Sequence, residues 1–445
     1  MTAAPPVDDL WRLELAKARL DSDHPDSPGG GFWPAALIGL AVWVRTLIAV
    51  PFADRLAPSD RRLAALHGEV SNRTRHLLSA LSAEAPETPL ILLGRPRQSM
   101  KGLRRAFAGA GLGNPRLIRP YSLIDGLLSL PGGLSRLIEG ARVVGAAEWR
   151  PDRRTLAAIC FRMLLGETAA RWARRQPGGI GRGVIFGHTG VADTHLLERS
   201  LQSAGGRTLH WVHGVSLGLN FVAGSDVGLF QCGADARWHQ RLGGYGRTLA
   251  LPAQRPEPAP MGRGWLLLSN LAHPMNPDFR RNGAVAEEAL LDAVSRAAVL
   301  AGQTRLVWKP HPVIHTLSQD IQDRLHARAR DLGFAVWPHA DGELARAADF
   351  ALVVASPSTV ALDMLRLGLV AVIHGGAGLD PMSALARLPL QTTTSEDLVA
   401  ASRALSDPAA RAKSLAQAWA AIEPGRPATL EALWELLVPA TDVSR

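Results

Sequence analysis

The run Phe350-Ala351-Leu352-Val353-Val354-Ala355-Ser356-Pro357-Ser358-Thr359-Val360-Ala361-Leu362-Asp363-Met364-Leu365-Arg366-Leu367-Gly368 holds a strand, a turn and a helix in nineteen residues. Six apolar, β-favouring positions end at Ser-Pro, which breaks the strand, and hydroxyl residues then precede a helix-period pattern closed by glycine. The same alternation extends in both directions. Short apolar runs at 90–93, 184–186, 209–212 and 227–231, then at 265–268, 306–308 and 370–373, are separated by stretches of helix length. Strands alternating with helices predict an α/β chain with parallel sheets covered by helices. Between the two sets, Pro252, Pro256, Pro258 and Pro260 preclude a continuous helix or a central strand. The expected organisation is a loose tail over 1–30, an apolar helix over 31–52, a Rossmann-like domain over 53–252, a linker over 253–264, a second Rossmann-like domain over 265–395 and helices over 396–445.

A chain of 445 residues, 47% apolar and 20% charged, has enough apolar sequence for two cores. The net charge is +9, but only four of the 49 basic residues are lysines, namely Lys17, Lys101, Lys309 and Lys413. Arginine, alanine and glycine richness of this kind looks like GC-rich bacterial codon usage. No aromatic-interleaved basic stripe or zinc-finger spacing is present, which argues against nucleic acid as partner. Cys160 and Cys232 stand far apart in no metal-ligand spacing and fit buried thiols in a reducing compartment. No leader of charged, apolar and small-residue segments opens the sequence, so a cytoplasmic location is expected. The segment 31–52 is apolar but interrupted by Arg45 and bounded by Pro34 and Pro51, marginal for a bilayer span of about 20 uncharged residues. Two readings remain for it: a buried helix, or an interfacial helix with Trp33 and Trp43 at headgroup depth on the inner face of the inner membrane. The cations Arg95, Arg97, Lys101, Arg104 and Arg105 form either a solvated face or an attraction for anionic lipid or glycan.

Candidate chemistry collects after the second set of strands. Ser358 and Thr359 precede a helix, where backbone N–H groups and a hydroxyl cap suit an anion such as phosphate. In Leu306-Val307-Trp308-Lys309-Pro310-His311-Pro312, an ammonium and an imidazole follow a strand directly, each able to donate to a phosphoryl oxygen. The turn after 265–268 supplies Asn270 and His273 as cleft contacts or as a turn serving only the backbone. In the first half, a strand ends in Trp211-Val212-His213-Gly214, and glycine lets another molecule approach beside the imidazole. His213 is then a general-base candidate, and Asp193, at the start of another helix, is either an N-cap or a catalytic carboxylate.

Lys309-Pro310-His311-Pro312, Ser358-Thr359-Val360-Ala361-Leu362-Asp363 and Gly368-Leu369-Val370-Ala371-Val372-Ile373-His374-Gly375 together resemble the capsule-polysaccharide Kdo transferases and, more distantly, bacterial sialyltransferases. Those enzymes have the GT-B fold, two Rossmann-like domains facing a cleft. The resemblance implies that His311, Ser358 and Thr359 contact the donor phosphate, with Lys309 in support. It places Asp363 at the donor ribose or base, although many capsule enzymes carry the longer Glu there. The His213-Gly214 turn and the Ser358-to-Asp363 segment are also similar to CDP-glycerol and CDP-ribitol phosphotransferases. The function so implied is a glycosyltransferase of bacterial surface polysaccharide, taking a CMP-activated sugar to a lipid-linked or polysaccharide acceptor. Its alternatives are CDP-polyol phosphotransfer and a catalytically silent polysaccharide-binding module. No metal or cofactor enters this scheme. A Gly-x-Gly-x-x-Gly fingerprint and a Walker loop are both missing, which argues against dinucleotide oxidoreductases and P-loop NTPases.

Overall fold

A computed structural model describes residues 7–21, 30–56, 62–65, 90–93, 116–176, 183–187, 192–212, 224–251, 255–269, 283–311, 314, 318–338, 341–375, 379 and 382–422. The first sheet consists of β1 (Arg62–Ala65), β2 (Leu90–Leu93), β3 (Arg116–Ile118), β4 (Gly183–Phe186), β5 (Arg207–Trp211), β6 (Val227–Phe230) and β7 (Arg247–Ala250). All pairs are parallel, in the order β3-β2-β1-β4-β5-β6-β7. The second consists of β8 (Trp265–Leu268), β9 (Leu306–Lys309), β10 (Phe334–Val336), β11 (Leu352–Ala355), β12 (Ala371–His374) and β13 (Gln391–Thr392), ordered β10-β9-β8-β11-β12-β13. Each half therefore reverses its strand order once, between β1 and β4 and between β8 and β11, which is the doubly wound Rossmann-like arrangement.

Burial on both faces explains why the strands Gly183–Phe186, Val227–Phe230, Trp265–Leu268 and Leu352–Ala355 are continuous apolar runs. Along β8, Leu266 and Leu268 join one core cluster while Trp265 and Leu267 join the cluster on the opposite face. The alternation is the ordinary consequence of a two-residue side-chain period.

The first half carries a helical layer larger than the sequence suggested. It comprises α1 (Val7–Asp21), α2 (Phe32–Ile48), α3 (Leu123–Ala146) and α4 (Arg153–Arg174), followed by α5 (Ala192–Ser203) and α6 (Gly233–Leu242). The loose tail expected over 1–30 is corrected over 7–21: Trp11 is fully buried, its indole N–H donates to the Arg136 carbonyl at 2.8 Å, and buried Glu14 pairs with Arg162. An indole and a carboxylate both satisfied by other helices hold α1 to the layer. On α3, Gly126, Gly133 and Gly140 recur every seven residues, and a methyl group at each would strike Leu47, Leu164 and Trp11 respectively. These glycines form a seam on which side chains of neighbouring helices rest directly on the α3 backbone. Cys160 and Cys232 are buried free thiols, pushed up to about 12 by burial.

The linker, described from Arg255 onward, follows the second domain. Ala259 N–H donates to the Gly368 carbonyl and Arg263 N–H to the Asp349 carbonyl, both at 3.0 Å. Gly368 has φ +76°, and a Cβ there would lie 2.1 Å from the Glu257 carbonyl oxygen, so both conformation and space call for glycine. In the second domain α7 (Gly283–Leu300), α8 (Gln319–Asp331) and α9 (Val360–Arg366) connect strands, and α10 (Ser395–Ser406) and α11 (Pro408–Ile422) close the chain. Leu398 and Leu405 of α10 enter one core cluster, and Leu415 and Trp419 of α11 enter the other. The latter also takes in Cys232 and Ala234 from the first half, so the halves share apolar contact.

Candidate functional site

Ligands of doubly wound sheets bind beyond the carboxyl ends of the strands, where the strand order reverses. In the second domain that place lies between β8 and β11. Leu268 stands opposite Lys309 on one side and opposite Ala355 on the other. Lys309 and Ala355 are therefore level with each other, two strand spacings or about 10 Å apart. The segments Lys309-Pro310-His311 and Ser356-Pro357-Ser358-Thr359 leave the same edge and flank the β8 exit.

The exit is tied down by backbone bonds. Ser269 N–H donates to the Lys309 carbonyl at 3.2 Å, Ser356 N–H to the Leu268 carbonyl at 3.0 Å, and Ile314 N–H to the His311 carbonyl at 2.9 Å. Lys309 is half-buried and His311 exposed, as expected of a rigid stem below a reachable imidazole. Ser358 and Thr359 are half-buried. Thr359 occupies the cap position of α9 with helical φ −60° and ψ −24°, and its hydroxyl makes no capping bond. The sequence expected a hydroxyl cap; helical geometry already at Thr359 departs from the extended backbone usual at that position. Ser356, one residue past β11, is buried, and its hydroxyl has no hydrogen-bond partner among the described residues.

Beneath this edge lies a buried polar cluster that the sequence did not reveal. Trp308 Nε1–H donates to Ser269 Oγ at 3.0 Å and to Glu287 Oε1 at 2.8 Å. Burial pushes Glu287 up to about 7, while hydrogen bonds from Ser269 and Trp308 pull it down. Glu287, the first of two adjacent glutamates on α7, carries no sequence signal for such a role.

Asp363 pairs with Arg366 at 3.3 Å, one helical turn on. Arg366 also donates across the domain boundary to the Gln231 carbonyl at 2.9 Å and to Gln231 Oε1 at 3.1 Å. Gln231 Nε2–H in turn donates to the Val212 carbonyl at 2.9 Å, and Asp235 accepts from Ala384 N–H at 3.2 Å. The carboxyl ends of β5 and β6 thus face α9 of the second domain. The i, i+3 spacing of Asp363 and Arg366 was the available sequence signal for this contact. His374, at the end of β12, is buried with Nδ1 3.0 Å from Thr392 Oγ1.

His213, Asn270 and His273 lie outside the described residues, as does the side chain of Asp193. The backbone places Asp193 second in α5, inside the first turn rather than at the cap. The structure therefore brings Lys309, His311, Ser358, Thr359 and Asp363 to one region of the second domain.

No family model matches the chain, and no curated protein matches it in sequence. Among solved structures, MurG of Acinetobacter baumannii is 11% identical, the match covering 84% of this chain and 98% of that one with a TM-score of 0.45. A glycosyltransferase from Rickettsia africae is 8% identical over 85% and 98% of the two chains, with a TM-score of 0.47. HepE of Anabaena, solved with UDP and glucose, is 11% identical over 84% and 98%, with a TM-score of 0.43. The two-domain assignment rests on the strand order itself: two Rossmann-like sheets in series, as in the GT-B arrangement.

Proposed function

We propose that the chain is a glycosyltransferase of bacterial surface polysaccharide, acting on capsule, exopolysaccharide or lipopolysaccharide with a nucleotide-activated sugar, and that its donor is a CMP-sugar such as CMP-Kdo. The observation that carries this reading is the placement of Lys309-Pro310-His311 and Ser356–Thr359 on both sides of the β8 exit, at the reversal of strand order. An ammonium, an imidazole and hydroxyls at one sheet edge suit a leaving phosphate, because charge-assisted donors gain strength as negative charge develops there. Lys309, His311, Ser358 and Thr359 take the donor phosphate in this proposal. Asp363 is assigned to the ribose or base, a contact that competes with its ion pair to Arg366. His213 and Asp193 are the candidates for removing the acceptor proton from a lipid-linked or polysaccharide hydroxyl.

Titration of the full chain with CMP tests the phosphate site. His311→Ala is expected to weaken CMP at least tenfold, about 1.4 kcal/mol, without moving the thermal midpoint, because His311 is exposed. A wild type that binds neither CMP nor CDP, or a His311→Ala variant that binds CMP unchanged, sinks the assignment. Separate incubations with CMP-Kdo and with CDP-glycerol then distinguish glycosyl transfer from polyol phosphotransfer by which donor is consumed, since each reaction releases CMP.

A further inference from the structure

Helix α2 is apolar on every side, with Arg45 its only charged residue. One half of its circumference is buried through Ala35, Ala36, Gly39, Trp43 and Leu47. The other half points outward and is equally apolar: Trp33 is 55% exposed, Leu37 67% and Ile48 63%. A helix that is hydrophobic all round belongs in a core or against lipid, and half of α2 has neither among the described residues. Helix α3 continues the surface. Its exposed Ile124, Leu127, Leu128, Leu134 and Ile138 fall on one stripe of the helix by their spacing. The two stripes meet, because Leu123 N–H donates to the Val50 carbonyl at 2.8 Å and Phe52, 74% exposed, lines the same cleft as Ile124. Eleven of the seventeen large apolar side chains exposed among the described residues belong to this face or to adjoining Phe52. Contiguous apolar surface of this kind is rare on a soluble monomer unless something covers it.

The surrounding charge indicates what covers it. Arg45 and Arg55 are exposed beside the face, and a groove of about 500 Å³ opens between α2 and α4. The groove is lined by Ile38, Val42, Ala157 and Phe161, with Arg153 and Arg154 beside them. An apolar channel with two guanidinium groups matches an acyl chain attached to a phosphate. Packing a second copy face to face brings one cationic rim against another, whereas anionic lipid complements both the apolar stripe and the rim. No helix among the described residues is long and apolar enough to cross a membrane, so the contact lies in the plane of one leaflet.

We propose that the α2–α3 face seats this protein on an anionic bilayer, with the α2–α4 groove taking the phosphate and acyl chain of one phospholipid. The proposal extends the interfacial reading of 31–52 to a second helix and to a defined lipid site. It does not depend on the nucleotide site.

Sedimentation of the full chain with vesicles tests it, using phosphatidylcholine alone or mixed equally with phosphatidylglycerol. The wild type is expected to pellet with the mixed vesicles, less so as salt rises. Leu37→Ser with Leu127→Ser should abolish pelleting. Arg153→Gln with Arg154→Gln should weaken binding to mixed vesicles at least tenfold and leave any binding to neutral ones unchanged. All four side chains are exposed, so the thermal midpoint and CMP titration should match the wild type and separate a failure here from a failure of the nucleotide assignment. The proposal is overturned if the wild type stays in the supernatant with both vesicles. It is equally overturned if sedimentation equilibrium shows a dimer that the leucine substitutions convert to monomer, since the face then belongs to a second copy.

Discussion

Replacing Gly140 with alanine is expected to destabilise the fold by about 2 kcal/mol, against the sign that helix propensity alone dictates. Inside a helix Gly→Ala normally stabilises by about 1 kcal/mol, because alanine gives up less backbone entropy. At Gly140, however, the added Cβ would stand 2.2 Å from Trp11 Cζ2 and 2.4 Å from Cε2. That indole is fully buried and held by its bond to the Arg136 carbonyl, so it has nowhere to rotate. Relief requires α1 to lift from α3, exposing Trp11 and loosening the Glu14–Arg162 pair. Gly145→Ala is the internal control: the same helix offers nothing within 4 Å of the new methyl group, so a neutral or slightly stabilising result is expected. Urea unfolding measures both. Equal midpoints for the two variants would remove the steric account of the seam.

Glu287→Gln is expected to raise stability by about 3 kcal/mol near pH 8 and to change little near pH 4. Glu287 is 1% exposed, and burial lifts it from 4.5 to about 7. Below the lower value both folded and unfolded chains hold the proton, and the group contributes nothing to the pH dependence. Between 4.5 and about 7 the unfolded chain ionises while the folded chain keeps its proton, so each pH unit costs the folded state about 1.4 kcal/mol. Above that window both are ionised and the full penalty persists. Glutamine removes the titration while retaining a carbonyl to accept from Trp308 and an amide to donate to Ser269. Glu198 should add a second, similar contribution in the wild type, since complete burial also lifts it to about 7. Unfolding midpoints measured across this range check the sign: a Glu287→Gln variant whose stability follows the wild type at every pH removes Glu287 as a source.

Strands were readable where burial on both faces demanded unbroken apolar sequence, as in Gly183–Phe186, Val227–Phe230 and Trp265–Leu268. Four of the strands that escaped notice, Arg116–Ile118, Arg247–Ala250, Phe334–Val336 and Gln391–Thr392, are edge strands of two to four residues. Such short pieces cannot establish a periodicity. The fifth, Arg62–Ala65, is central, but Arg-Leu-Ala-Ala lacks the β-branched residues that mark a strand. For α2, the buried reading describes one half of its circumference, and Trp43, expected at headgroup depth on the interfacial reading, is buried with its indole N–H donating to Thr168 Oγ1 at 3.1 Å, while Leu37 and Ile48 are bare. At the candidate site, a sequence can show which strands end in polar residues but not which strands lie side by side. That Lys309 and Ala355 flank the same residue, Leu268, emerges only from the strand order. The Glu287–Trp308–Ser269 cluster joins three separate elements and has no local pattern to announce it.

The brevity of the outermost strands also shapes how the molecule fails. Three of the four border strands run only two or three residues, and β7 is exposed or half-buried along its length, so among the described residues neither half offers a long ladder of unpaired amides on which a foreign chain could polymerise. Among the described residues most exposed apolar surface lies on helices, whose backbone groups are already satisfied internally. Self-association through such a surface should stay amorphous and dissolve in mild detergent, rather than ripen into cross-β fibrils.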